Sequence, residues 1–302
     1  MSTSSFMDRA ISVLRSNDTG VFTKPGPHQY PHQWNWDSAL IALGLSHVDL
    51  PRAQVEIRSL LSGQWRDGMV PSVVYHSGPS DYFPNPEFWQ TENSSSAPPV
   101  PTTGITQPPL LATIVHRIHT RHPMPDFVRE VYPALLNWHR WLHIHRDADG
   151  SALACIIHPW ESGTDDSPRW LHLFEAIHPE ALPEFQRGDT RYVVATERPN
   201  RAEYERFIYL IDVFRRLDYV PGELLKYSPF LAQDILFNAI LFRADEDLGE
   251  LAMGIGEPTD EIDSWLTRVR QNFNTRFWDE TVGLYYDYDV RSGTTIPVNT
   301  IS

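Results

Sequence analysis

Apolar residues recur at helical spacing along most of the chain, and the interruptions are as informative as the runs. Phe6 to Leu14 reads as a short amphipathic helix closed by the turn Asn17-Asp-Thr-Gly20. The next helix is expected to start at Asp37, a natural N-cap, carrying Leu40, Ile41, Leu43, Leu45 and Val48 as far as Pro51. Ala53 to Leu61 follow in the same phase. The spacing predicts helices over 106–121, with Pro108 and Pro109 in the first turn, and over 125–146, where Pro133 implies a kink or a break. Further helices are expected over 168–178, 201–217, 228–244 and 258–277. Near the end the period changes: Leu284 to Val290, then Arg-Ser-Gly, then Thr294 to Val298 reads as a short β-hairpin.

The connections 20–36, 65–105 and 155–167 are rich in proline and aromatic residues and long for a compact domain, which marks them as carriers of function. Residues 92–104 offer little to bury and are expected to be mobile. Asp67 to Ser72 reads as a turn entering an extended loop. No linker separates two compositional halves, so residues 1–302 are expected to form one all-α domain. Helix pairs joined by alternating short and long loops suggest a toroid of helical hairpins.

Composition narrows the partners. A net charge of −14 argues against nucleic acid and anionic membrane, and favours a neutral or locally captured ligand. The one cysteine, Cys155, lies in the apolar run ALACIIHPW and reads as a core residue; it cannot form an internal disulfide, which fits a reducing compartment. The N-terminal residues lack a signal peptide's apolar core and no stretch is long enough to span a bilayer, so the cytoplasm is expected. Thirteen histidines invite a metal reading, but His116, His119, His122, His139 and His143 form no HExxH pattern and have no cysteine pair nearby. They are expected on helix surfaces, with no metal or other cofactor bound.

Two segments carry candidate chemistry. In HPWESGTDDSPRW (158–170), Glu161, Asp165 and Asp166 fall within six positions, between Trp160 and Trp170 and around Gly163. Unpaired carboxylates so close repel, which favours keeping one protonated near neutral pH. A protonated carboxyl beside an indole suits a general acid for glycosidic cleavage. Ser167-Pro168 equally reads as an N-cap and first helical proline, so the acids could instead complement a helix start. In HQYPHQWNWDSALIALGL (28–45), Tyr30, Trp34, Trp36 and Asp37 converge on one helix end, as a sugar site with stacking faces and a carboxylate acceptor would, or as an N-cap among core tryptophans. Gln107, in an expected first turn, could bind ligand or cap.

The ordered strings QWNWDSALIALGL, DGMVPS, ITQPPLLA and HPWESGTDDSPRW, followed by RPNRAEYERFIYL and RFWDETVGLYYDYD, resemble family 63 of the glycoside hydrolases, in particular its glucosylglycerate and mannosylglycerate hydrolases. The resemblance runs from about Gln29 to the hairpin. It implies an (α/α)6 barrel and inversion of the anomeric centre by two carboxyl groups, one protonating the leaving oxygen and one activating water on the opposite face. It further implies Asp165 as the acid, with Tyr30, Trp34, Asp37 and Gln107 on the sugar and Trp160, the indole beside the acid, in the same site. Arg198 and Tyr204 match positions that hold the glycerate carboxylate, a task to which a guanidinium is suited. Asp166 stands where relatives often have asparagine, which adds a negative charge beside the acid; Glu161 and Asp166 are expected to tune it.

The family's general base is a glutamate in the C-terminal third, beyond residue 302, together with the last barrel helices. The resemblance therefore implies an incomplete (α/α)6 barrel, with homo-oligomerisation left open. Loss of one acid–base partner removes about 10²- to 10⁴-fold of rate. Each uncovered large side chain costs about 1.5–3 kcal/mol against a usual net stability of about 5–15 kcal/mol. The expected function is hydrolysis of a small α-glycoside such as glucosylglycerate or mannosylglycerate, with the chain inactive alone. The rival readings are a non-catalytic sugar-binding remnant and another (α/α)6 enzyme such as a sugar epimerase, which would require histidines paired in the aromatic loops.

Overall fold

In the computed structural model, which describes residues 3–76 and 82–300, helices account for most of the chain and pair as hairpins. After α1 (Thr3–Asn17), helices α2 (Asn35–Ser46) and α3 (Leu50–Leu61) form the first hairpin. A single turn, α4 (Pro86–Trp89), precedes the second, α5 (Leu111–Arg121) with α6 (Pro125–His145). Then come α7 (Leu171–Glu175), α8 (Arg201–Arg216) and α9 (Pro221–Tyr227), and the hairpin of α10 (Ile235–Ile255) with α11 (Asp260–Phe277). Helices α2, α5 and α10 stand side by side, because small buried residues such as Ala39, Ala42, Ala112 and Ala244 allow close approach. They are backed by α3, α6 and α11, each packed on its hairpin partner, so two tiers form an arc. Among the described residues the arc does not close into a ring.

Strands are few and short. β1 (Gln33–Trp34) pairs antiparallel with β2 (Val73–Val74), tying the loop before α2 to the 65–105 connection. β3 (Ala232–Gln233) pairs with β6 (Asp287–Asp289), which pairs with β7 (Thr294–Ile296), while β4 (Trp278–Asp279) pairs with β5 (Leu284–Tyr285). The expected hairpin is thus present between β6 and β7, but Leu284 and Tyr285 pair with residues 278–279 instead.

Several expectations are corrected by local chemistry. α2 begins at Asn35, with Trp34 as the residue before its first turn, so Asp37 sits inside that turn rather than capping it. Pro108 and Pro109 precede α5, and Gln107 lies in the extended segment before it. α6 continues unbroken across Pro133, and α9 was not expected. α10 begins seven residues later than expected because Asp234 is the true cap, accepting from Leu236 N at 2.8 Å and Phe237 N at 3.3 Å.

Residues 92–104 are packed rather than mobile: Trp65 Nε1 donates to Thr102 Oγ1 at 2.9 Å and Thr91 Oγ1 donates to Thr102 O at 2.9 Å. Residues 77–81 of the same connection lie outside the described residues. Cys155 is buried as expected. His139 and His143 are not on the surface. They point from α6 at one buried carboxylate on α10, His139 Nδ1 at 2.7 Å and His143 Nε2 at 2.9 Å from the two oxygens of Asp245. Burial alone would raise the Asp245 carboxyl, but the two imidazoles outweigh it and hold it below the usual carboxylate range.

Candidate active site

The acidic cluster of residues 158–170 is taken apart by the fold. Glu161 is fully buried and anchored by Arg146, with Nη2 at 2.6 Å from one oxygen and Nη1 at 2.9 Å from the other. It also accepts from Ile157 N at 2.7 Å and Thr106 N at 3.1 Å. With its oxygens so occupied Glu161 is a structural pin, and the expectation that it tunes Asp165 is not met: the charges that act on Asp165 are those of Arg198, Asp166 and Asp37. The bend after Glu161 requires glycine. Gly163 has φ of 72° and a Cβ there would lie 2.6 Å from the Trp36 ring.

Thr164 then fixes the approach to Asp165. Its hydroxyl accepts from Arg169 Nη2 at 2.7 Å, its N–H donates to Ser162 Oγ at 2.9 Å, and its carbonyl accepts from Trp170 Nε1 at 3.1 Å. Arg169 is itself clamped by Asp287 at 2.9 Å and Asp234 at 3.2 Å, all three buried. Ser167 and Pro168 do start a short 3-10 turn leading into α7, with the Ser167 side chain accepting from Arg169 N, as the capping reading expects.

Asp165 emerges into a narrow cavity of about 70 Å³. Its wall includes Tyr30, Trp34, Gln107, Trp160, Arg198 and Tyr204, so seven of the eight residues singled out from the sequence are brought together. Asp37 is not part of that wall; it stands in the first turn of α2, near enough for its charge to raise the Asp165 pKa. Tyr30 and Trp34 meet edge to face at 5.1 Å. Trp160 packs on Phe207, 5.4 Å between rings, which leaves the indole held from behind. Gln107 is turned toward α2, its Oε1 3.4 Å from Trp36 N, so it bridges that helix's first turn and the cavity.

The electrostatics divide the cavity in two. Asp165 keeps one side open to the cavity, but protein crowds it in depth; this burial, with smaller contributions from Asp166 and Asp37, pushes its pKa up to about 6 against the pull of Arg198. Burial likewise pushes Asp37 to about 6. At the other end, Arg198 bonds Tyr30 and, through Nε at 3.3 Å, Asp189. Asp189 is gripped more firmly by Arg187, with Nε at 2.9 Å and Nη2 at 2.6 Å. Burial drives the Tyr204 hydroxyl upward, so it remains a neutral donor.

Residues that sequence reasoning did not single out also line this cavity, notably Tyr75, Tyr82, Trp89 and Asp189. The aromatic run Tyr82-Phe83-Pro84 inside the 65–105 connection was the available signal; Asp189, in the polar stretch RGDTRY, offered none. Gln29, Tyr82, Phe83 and Asp189 are shared with a larger outer cavity of about 360 Å³. No histidine is among the inner wall residues described, whereas His28 lines the outer cavity. No group of potential metal ligands occurs among the described residues, and no described helix is long and apolar enough to cross a membrane.

The model of the mannosylglycerate hydrolase MGH1-like glycoside hydrolase domain matches residues 30–302. The chain belongs to this family of glycoside hydrolases. It is 42% identical over 297 residues to the mannosylglycerate hydrolase of Thermus thermophilus, covering 97% of the chain and 71% of that protein. It is 35% identical over 297 residues to the glucosylglycerate hydrolase of Mycolicibacterium hassiacum, covering 93% of the chain and 66% of that protein. Among solved structures it resembles a family 63 mannosylglycerate hydrolase from another strain of Thermus thermophilus, in complex with Tris and D-glycerate. The TM-score is 0.91 and the identity 41%, with 97% of the chain and 70% of that structure covered. The arc of hairpins is thus an incomplete (α/α)6 arrangement of the glycoside hydrolase type.

Proposed function

We propose that the chain provides the acid-bearing and aglycone-binding part of an inverting hydrolase for a small α-glycoside of glycerate, mannosyl or glucosyl, within one (α/α)6 domain. The observation that carries this reading is the pairing, in one cavity, of a carboxyl lifted to about 6 with an arginine and a neutral tyrosine. Asp165 would protonate the glycosidic oxygen. Tyr30, Trp34, Trp160 and Gln107 would hold the sugar, Asp37, outside that wall, would act on Asp165 through its charge, and Arg198 with Tyr204 would take the glycerate carboxylate. The only other carboxylate described in the inner wall is Asp189, which two guanidinium groups engage, so it cannot serve as the base that activates water. That base is proposed to come from outside the described cavity. Residues 1–302 alone are then expected to bind D-glycerate and the sugar without turning the glycoside over. Calorimetry with D-glycerate, glycerol and glucose tests this directly. Equal affinity for D-glycerate and glycerol would remove the aglycone assignment, and turnover by the 302 residues alone would remove the external base.

A further inference from the structure

Arg187 does not line the inner cavity, yet it determines what Arg198 can do there. Asp189 sits between the two guanidinium groups. Its bond to Arg187 is bidentate and short, at 2.6 and 2.9 Å, whereas Arg198 reaches it through Nε alone at 3.3 Å. Arg187 is fixed in this pose on two further sides: Nη2 donates to Pro199 O at 2.9 Å, and its guanidinium lies 4.3 Å over the Tyr204 ring. Charge-assisted bidentate pairing is much stronger than a single long contact. The negative charge of Asp189 is therefore largely spent on Arg187, and one positive charge is left over on the Arg198 side of a protein whose net charge is −14.

We propose that Arg187 is a positioning residue for the anionic aglycone: by occupying Asp189 it keeps that carboxylate from closing on Arg198, which stays open to a ligand carboxylate. This rests on the reading of Arg198 as the aglycone anchor. Without Arg187, the half-buried Arg198 is the guanidinium still in contact with a buried Asp189, and an internal ion pair would compete with D-glycerate for the same guanidinium. Arg187 and Asp189 thus form a matched pair whose effects on binding have opposite sign.

The test is a double-mutant cycle read by D-glycerate calorimetry on the 302-residue chain, with glucose as the control for the sugar side. Arg187→Gln should weaken D-glycerate by about tenfold or more, in the range of directly coupled neighbours, while glucose affinity stays within about twofold. Asp189→Asn should bind D-glycerate at least as tightly as the unaltered chain. The double variant should recover affinity to within about threefold, since the competing carboxylate is gone. Loss of the Tyr204 stacking contact would not be repaired by Asp189→Asn, so recovery separates the electrostatic role from a structural one. D-glycerate binding unchanged in Arg187→Gln, weakened in Asp189→Asn, or unrestored in the double variant overturns the inference alone. Failure of the unaltered chain to prefer D-glycerate over glycerol overturns the aglycone reading and the inference with it.

Discussion

Replacing Glu161 by glutamine tests whether this residue anchors the acid loop or merely adds charge to it. In the folded chain its two oxygens receive both terminal nitrogens of Arg146 and the N–H groups of Ile157 and Thr106, and neither partner of the ion pair is exposed by more than a few per cent. Glutamine keeps the shape but withdraws the charge and turns one acceptor into a donor facing donors. Removing one member of a buried pair costs about 3–5 kcal/mol, because the other is left charged in a poorly solvated place. Against a typical net stability of about 5–15 kcal/mol, that is about a fifth of the total or more. At roughly 2–4 °C per kcal/mol for a chain near this size, the melting temperature should fall by roughly 6–20 °C. Urea unfolding followed by tryptophan fluorescence reads the change. The loop carrying Asp165 hangs from this pin through Ser162 and Thr164, so D-glycerate and sugar binding should weaken as well. A loss below about 1 kcal/mol, the size of an exposed pair, would refute the assignment of Glu161 as a structural pin.

Other consequences are equally measurable. Ionised Asp165 and Asp37 are disfavoured in the folded chain, since their folded pKa values lie above the unfolded range, so stability should decline as pH rises from about 4 through about 6. Asp37→Asn should therefore raise the melting temperature at pH 7, with the gain vanishing near pH 4; a gain that persists at pH 4 would contradict the burial argument. Asp245→Asn should cost about 1.5–3 kcal/mol at neutral pH by weakening the buried hydrogen bonds to His139 and His143, read by thermal unfolding. Because the Asp245 pKa is depressed on folding, its own contribution is present above about pH 4 and lost on further acidification, so wild type and variant should converge there. Gly163→Ala places a methyl group into the Trp36 ring at a positive φ, and should cost about 1–3 kcal/mol and weaken sugar binding; an unchanged crystal structure and affinity would show that the bend tolerates a side chain.

Much of this was legible from the chain itself, for identifiable reasons. α8 was readable because Asn200 and Glu203 form a capping box and the apolar positions Tyr204, Phe207, Ile208 and Ile211 hold one face. The inner cavity was legible in part because Tyr30, Trp34, Trp160 and Asp165 sat in long connections rich in aromatic residues, whereas Arg198 and Tyr204 were pointed to only by the family resemblance. α10 was misplaced because its C-terminal half, RADEDLGELAMGI, looks like a solvated charge run. In the fold Asp245 and Asp247 are buried against His139, His143, His116 and Arg243, which no local pattern announces. The three-carboxylate cluster misled in the same way, since Arg146 is fifteen residues before Glu161 and neutralises it through tertiary contact. Arg187 and Asp189 lay in a polar loop whose meaning depends on Arg198 being folded against it.

The central claim is that Asp165 donates the proton to the leaving oxygen, and its most direct measurement compares two substrates in a protein completed with the remaining third of its relatives' length. Asp165→Ala should lose about 10²- to 10⁴-fold in kcat/KM on mannosylglycerate or glucosylglycerate, whose leaving group needs that proton. On the corresponding glycosyl fluoride, which departs without one, the loss should be far smaller. Equal losses on both substrates, or activity on the glycerate glycoside within tenfold of wild type, would contradict the account.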